Sequence, residues 1–327
     1  MKKVQLKSIT IYDQKVKPGQ SVQIDIPIAR LPSHTLIDLP VYVYRSAKPG
    51  PSLLLSAGIH GDEINGIEII RRLISRDLIF PEAGMIIALP LVNIYGFLHH
   101  SRTLPDGRDL NRCFPGSQKG SLARQIAYII MNEIIPHIDY GVDFHTGGAR
   151  ISNFPQIRAT LNDEKSKELG LAFGAPLLIN SGLIDKSFRK AVHKAGKTIL
   201  VYEGGESLRI DELSIDMGID GALRIMHHLG MRSQAPVKTK TAVIKSSSWL
   251  RARISGIFHS KVEYGDSVKK NQVVARITDP YGSTIHSVKA PFDGIVIGIN
   301  NMPVINAGNA LMHIGSPEKI KEIGEAE

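Results

Sequence analysis

Leu53-Leu-Leu-Ser-Ala-Gly-Ile-His60-Gly-Asp-Glu63-Ile-Asn-Gly-Ile-Glu-Ile-Ile-Arg-Arg-Leu-Ile74 carries the decision on fold class. Its opening apolar run, Leu53 to Ala57, is short and continuous, the pattern of a strand covered on both faces. Beyond a Gly-rich turn, Ile64, Ile67, Ile70 and Ile74 recur at steps of three and four, which predicts a helix with one apolar face. Asp62 is placed to cap its N-terminus. Strand, turn and amphipathic helix in this order make an α/β unit.

The same texture continues outward. Further strands are expected at Met85-Ile86-Ile87-Ala88-Leu89, Gly141-Val142-Asp143-Phe144, Leu177-Leu178-Ile179 and Thr198-Ile199-Leu200-Val201-Tyr202, with helices near 121–135 and 216–229. Upstream, Val22 to Ile28 and Leu39 to Tyr44 alternate like short strands, so residues 1–50 read as a β lead-in to the main domain. At 327 residues, one large and one smaller domain are expected. The polar, proline-containing stretch after Gly230 marks the boundary, giving a main domain over 51–232 and a β-rich domain over 240–327.

That tail contains a repeat. Gly256-Ile257-Phe258 precedes Val268, Asn271, Val274 and Ile277, and Gly294-Ile295-Val296 precedes Ile305, Gly308, Leu311 and Ile314, the last four positions at identical spacing. Asn and Gly at the equivalent turn are the residues that best tolerate positive φ, which gives the repeat a backbone reason as well as a hydrophobic one.

Composition narrows the class of protein. Hydrophobic residues at 43% and charged residues at 22% are ordinary globular usage. Met1 to Gln14 lacks the apolar run of a signal peptide, and no stretch reaches the roughly 18 to 20 apolar residues of a membrane span. A soluble, cytoplasmic protein without a membrane partner is therefore expected. The lone cysteine, Cys113, excludes an intrachain disulfide framework and reads as a packing residue. The formal charge is +9, but the basic residues are scattered, so nucleic acid is not an expected partner; small anionic substrates are.

Three constellations carry chemistry. His60 follows a strand and Glu63 opens the next helix, so both can converge on one point, and imidazole and carboxylate are good zinc ligands. A catalytic zinc takes three protein ligands and leaves a fourth position for water; His145, at the end of the strand Asp143-Phe144-His145, is the best third candidate because ligands gather beyond strand carboxyl ends. Asp143 could orient that imidazole or simply bond the neighbouring backbone. The pairs His99-His100 and His227-His228 read as structural or surface groups.

The second constellation is the loop from Arg102 to Arg112, rich in arginine and in turn residues. Guanidinium forks bind carboxylates through two parallel hydrogen bonds, and Asn111 can add an amide donor; a solvated turn with surface ion pairs is the plain alternative. The third is Tyr202-Glu203-Gly204-Gly205-Glu206, where Glu203 ends a strand in the position of a general base and Glu206 is an obvious decoy.

In order along the chain, Gly58-Ile-His60-Gly-Asp-Glu63, Asp109-Leu-Asn111-Arg112, Asp143-Phe-His145 and the strand-end Glu203 resemble the succinylglutamate desuccinylase/aspartoacylase family of the zinc carboxypeptidase-like superfamily, over roughly residues 50 to 230. The resemblance implies a mixed sheet flanked by helices, one Zn2+ per chain held by His60, Glu63 and His145, a substrate carboxylate held by Asn111 and Arg112, Glu203 as the catalytic carboxylate and Arg102 as the oxyanion stabiliser. The turn Pro105-Asp106-Gly107 lengthens the loop relative to aspartoacylases and introduces Arg108 as a rival to Arg102. Val268 to Ile277 and Ala290 to Gly294 resemble the biotinyl/lipoyl fold. No lysine stands where those carriers are modified, so a small all-β barrel without a prosthetic group is implied.

The activity implied is zinc-dependent hydrolysis of a linear amide, removing a small acyl group from an N-acylated amino acid. A zinc carboxypeptidase is the rival enzyme, and a non-catalytic metal- or anion-binding protein with the barrel as interaction module is the rival from another class. The acyl group, the amino acid and the oligomeric state, a homo-oligomer included, are left open by the residues alone.

Overall fold

In the computed structural model, which describes residues 6–148, 150–238 and 240–317, the chain is an α/β protein with a C-terminal all-β region. A β1 (Ile9–Ile11) and β2 (Gln14–Val16) hairpin is followed by β3 (Ser21–Arg30), β4 (Leu36–Arg45), β5 (Ser52–Ala57), α1 (Ile64–Ser75), β6 (Met85–Leu89), α2 (Ile94–Leu98) and α3 (Leu122–Ile129). Then come β7 (Tyr140–Gly147), β8 (Ile151–Ala159), α4 (Glu164–Phe173), β9 (Leu177–Asn180), α5 (Phe188–Lys194), β10 (Thr198–Glu206) and α6 (Glu212–His228). The C-terminal strands are β11 (Ala242–Arg251), β12 (Gly256–Ser260), β13 (Ser267–Val268), β14 (Val273–Thr278), β15 (Ile285–Lys289), β16 (Gly294–Asn300), β17 (Val304–Ile305) and β18 (Ala310–Pro317).

Twelve strands form one mixed sheet in the order β13-β16-β18-β11-β9-β8-β10-β7-β5-β6-β4-β3. Its centre is parallel, β10 with β7, β7 with β5 and β5 with β6, so their carboxyl ends share one edge. Alternate residues of the apolar runs enter different cores. Leu54 and Ile87 pack with Ala123 and Ile126 of α3 and Val192 of α5, whereas Leu53, Leu55 and Ile86 pack with Ile69 and Leu73 of α1, Phe173 of α4 and Ile219 of α6. Helices thus cover both faces, which is why these strands read as continuous rather than alternating. No helix among the described residues is long and apolar enough to cross a membrane.

Two local expectations need correction. Helix α1 has Glu63, not Asp62, at its N-cap position, with no side-chain capping bond, because the Glu63 carboxylate is turned toward two imidazoles instead. Its deepest residues are Asn65, Gly66, Ile69, Ile70 and Leu73, so of the isoleucine stripe only Ile70 is fully buried, and Ile64, Ile67 and Ile74 form its flank. The helix expected near 121–135 is α3 followed by a π-turn at Ile130–Ile134.

Strand β8 was not expected. It is half polar and has Pro155 in its middle, normally an argument against an interior strand. The proline falls where the neighbour changes: Ile151, Ser152 and Asn153 pair with β16, and Gln156 to Ala159 pair with β9.

The lead-in strands join the main sheet through β4, which pairs antiparallel with β6. The boundary expected between 232 and 240 lies after α6 and before β11. Beyond it the strands extend the main sheet, since β11 pairs parallel with β9 and β16 pairs with β8, while β15-β14-β12-β17 form a second sheet. The repeat is visible in this region. Val268, Val274 and Ile277 share a core with Ile305, Leu311 and Ile314, and the turn residues Asn271 and Gly308 take φ of 68° and 89°.

Candidate active site

Across the parallel pair β5 and β7, Ala57 is the register partner of Phe144, so the loop leaving β5 emerges beside the end of β7. The loop closes tightly, Glu63 N donating to His60 O at 3.2 Å, and this brings both side chains to His145. His60 Nδ1 stands 2.7 Å from Glu63 Oε1, and His145 Nδ1 stands 2.8 Å from Glu63 Oε2. All three residues are at most 5% exposed, and their ligand atoms lie within 4.8 Å of one another.

The outer nitrogens are also fixed. His60 Nε2 lies 3.1 Å from Asp109 Oδ1, and His145 Nε2 lies 2.7 Å from Asp143 Oδ2, whose other oxygen accepts from Ser56 Oγ at 2.8 Å. Of the two readings of Asp143, orientation of the imidazole is the one realised. A ring whose outer nitrogen is held by a carboxylate has its tautomer and direction set for a metal on the other nitrogen. Two imidazoles and a carboxylate, converging with their outer partners in place, fit a zinc ion that keeps an open fourth position.

Electrostatics tie the same three groups to one another. Burial alone would raise the carboxyl of Glu63 and lower both imidazoles, but the facing charges prevail: Glu63 is held well below its ordinary value, His60 is raised and His145 is raised well above 6.5. Asp109 is only partly buried, and against the desolvation that would raise it His60 and Arg102 hold it well below the usual carboxylate range.

One cavity of about 170 Å³ gathers the sequence candidates His60, Glu63, Arg102, Asn111, Arg112, His145 and Glu203. Arg102 Nη1 donates to Glu63 Oε1 at 3.1 Å, while its Nε and Nη2 hold Asp109. Its rival Arg108 is 58% exposed beside Asp106 and does not line the cavity. Asn111 Oδ1 accepts from Phe188 N at 2.9 Å, so its Nδ2 is the end left for a ligand. Arg112 donates to Asn111 O. Glu203 accepts from Asn153 Nδ2 at 2.7 Å and Arg158 Nη2 at 3.2 Å, and the Arg158 Nε pairs with its other oxygen at 3.1 Å.

The decoys sort out. Glu206 pairs with Arg209 and accepts from Asn301, and His99 and His100 are exposed beyond α2. Burial pushes the Cys113 thiol up, in keeping with a packing role.

Sequence reasoning missed Asn153, Arg158 and Arg189. Arg189 is buried at the start of α5, donates to the carbonyls of Ser181 and Gly182, and keeps Nη1 without a partner. Burial, reinforced by Arg158, lowers it to about 10, so it stays charged at neutral pH. The signal for Arg158 lay in the alternation of Ile151, Asn153, Ile157 and Ala159, which Pro155 concealed; nothing local distinguishes Arg189 from a surface arginine of an amphipathic helix.

Fold and site together define a hydrolase of amide bonds. Residues 49–229 match the Succinylglutamate desuccinylase/Aspartoacylase catalytic domain family, and the chain belongs to that family. It is 29% identical, over 88% of its length and 87% of the relative's, to the N-alpha-acetyl-L-2,4-diaminobutyric acid deacetylase of Halomonas elongata. Among solved structures it superposes with TM-score 0.81 and 25% identity on the succinylglutamate desuccinylase/aspartoacylase of Rhodobacter sphaeroides, covering 91% of this chain and 96% of that one. The product-bound Ectoine utilization protein EutE (DoeB) of Ruegeria pomeroyi shares the fold at TM-score 0.81 and 23% identity, covering 97% and 100%.

Proposed function

We propose that the chain is a zinc-dependent deacylase that removes a small acyl group from the amino group of a carboxylate-bearing amino acid. The observation that carries this reading is the convergence of His60, Glu63 and His145 within 4.8 Å in the cavity that Glu203 also lines. When bound there, zinc supplies a Lewis acid that polarises an acyl carbonyl and lowers the pKa of water toward about 7.

The chain's own groups do the rest. Arg112 and Arg189 line the cavity with no carboxylate partner among the described residues, which supports recognition of an anionic substrate, with Asn111 Nδ2 as a neutral donor beside them. Arg102 donates to the oxygen that becomes negative as water adds to the acyl carbon. Glu203 accepts the proton of that water and returns it to the amine nitrogen as the carbon–nitrogen bond breaks. At about 170 Å³ the cavity is smaller than the roughly 300–1,000 Å³ of drug-sized ligand sites, which favours an N-acyl amino acid over a long peptide.

The halomonad relative's name directs the first assay to N-acetyl-L-2,4-diaminobutyrate. Purified protein is to be loaded with zinc and screened against acetylated and succinylated amino acids and against a peptide panel. Release of free amino acid from the acylated set, lost with chelator and restored by zinc, supports the reading. Hydrolysis of peptides alone, or about one zinc per chain without any turnover, overturns it.

A further inference from the structure

Strand β16 belongs to the C-terminal repeat, yet it is hydrogen-bonded to β8, which borders β10 on its other side. One row across these strands runs from Gly298 of β16 through Asn153 of β8 to Gly205 of β10. Asn153 is only 5% exposed, and its Nδ2 donates to Glu203 Oε2. Gly298 lies at a register shift in β16, and a Cβ there would stand 2.6 Å from Asn153 Oδ1 and 3.1 Å from Ser152 O. The asparagine amide therefore lies where any residue but glycine at position 298 would put its Cβ.

The next residues of the same strand and loop tighten this arrangement. Asn301 Nδ2 donates to Ser152 Oγ and to Glu206 Oε2, each at 2.7 Å, and Asn301 N donates to Arg150 O at 2.9 Å. Thus the chain from Gly298 to Asn301 grips β8 beside Asn153 and β10 three residues beyond Glu203. A carboxylate offers about four lone-pair sites. Asn153 and Arg158 Nη2 occupy Oε2, which leaves Oε1, paired with Arg158 Nε, as the oxygen that can take a proton.

We propose that Asn153, seated against the bare backbone of Gly298, is a positioning residue for Glu203, and that the C-terminal repeat thereby fixes the aim of the proton-transferring carboxylate. This rests on Glu203 acting as proposed above. The row is not a metal or substrate contact, so its effect falls on turnover rather than on binding.

The test compares Asn153→Ala, Asn153→Asp, Gly298→Ala and the Asn153→Ala/Gly298→Ala double variant with the wild type, on whichever N-acyl amino acid the wild type turns over, with Tm measured for each. Loss of one hydrogen bond to a charged group predicts that Asn153→Ala lowers kcat about tenfold with KM nearly unchanged. Asn153→Asp keeps the shape but faces Glu203 with a second carboxylate, and lowers kcat further. Gly298→Ala reproduces Asn153→Ala, and the double variant is no worse than either.

Unchanged kcat in Asn153→Ala, or kcat and KM moving together, overturns the proposal. So does a Gly298→Ala cost that is the same in both backgrounds. Should Gly298→Ala fail to fold, the two Asn153 variants decide alone. Glu203→Gln separates the layers: normal turnover there removes the general-base reading itself, whereas an inactive Glu203→Gln beside a normal Asn153→Ala removes only the positioning role.

Discussion

Glu203 and His145 are register partners across the parallel pair of β10 and β7. Partners in such a pair project to the same face, so carboxylate and imidazole leave adjacent strand ends side by side. This single relationship puts the proposed proton acceptor beside one of the proposed metal ligands without any loop having to fold back.

From it follows a separation of metal binding and turnover. Glu203→Gln is expected to retain about one zinc per chain while kcat falls by about 10² to 10⁴, the usual contribution of a general acid-base group. Metal analysis and steady-state kinetics on the same preparation check this. Near-normal kcat would sink the assignment.

Asp143 holds the outer nitrogen of His145, and under the proposed ligand set it tunes the metal through that ring. Asp143→Asn leaves the ring without its charged outer partner and with Ser56 still in place, so zinc affinity is expected to drop about 10- to 100-fold. Competition against a chromophoric chelator measures it; affinity equal to the wild type would show that the outer bond does not tune the ligand.

Arg189 is buried with one guanidinium nitrogen unpartnered in the wall of the site. Losing a hydrogen bond between charged groups costs about 1.5–3 kcal/mol, so Arg189→Met should lower kcat/KM by about ten- to a hundredfold, mainly through KM. If KM for the preferred substrate stays put, this arginine only braces the Ser181 and Gly182 carbonyls.

Stability should depend on pH through His313, stacked on Trp249 with ring planes 7° apart. Burial, with the positive charge of Arg158 behind it, pushes this imidazole down to about 4. An unfolded histidine titrates near 6.5, so between these values the unfolded chain binds a proton that the folded chain does not, and stability falls as pH drops from about 6.5 to about 4. The full loss is about 3 kcal/mol. His313→Gln is expected to be less stable at pH 7 but to show a shallower decline in urea midpoint down to pH 4.5. An equal decline in both proteins would exonerate His313.

Sequence by itself pointed to the parallel centre of the fold, because short, largely apolar runs such as Leu53 to Ala57 and Met85 to Leu89, set between turns and helical patterns, are how strands between two helical layers read. It also brought forward the chemistry of His60, Glu63 and His145, whose residue types and strand-end positions are local properties. The repeat around Asn271 and Gly308 was legible for the same reason: hydrophobic spacing and tolerance of positive φ are written residue by residue. Tertiary structure alone decided the surroundings. Whether Arg102 or Arg108 reaches Glu63, that Asn111 spends its carbonyl on Phe188 N, and that Arg189 enters the site from α5 depend on how separate elements pack. Strand β8 is the sharpest case: Pro155 forbids a ladder bond that, at the junction of two neighbouring strands, is not required. The reach of the C-terminal repeat to Asn153 belongs with these, since hydrogen bonds between residues 145 positions apart leave no trace in local periodicity.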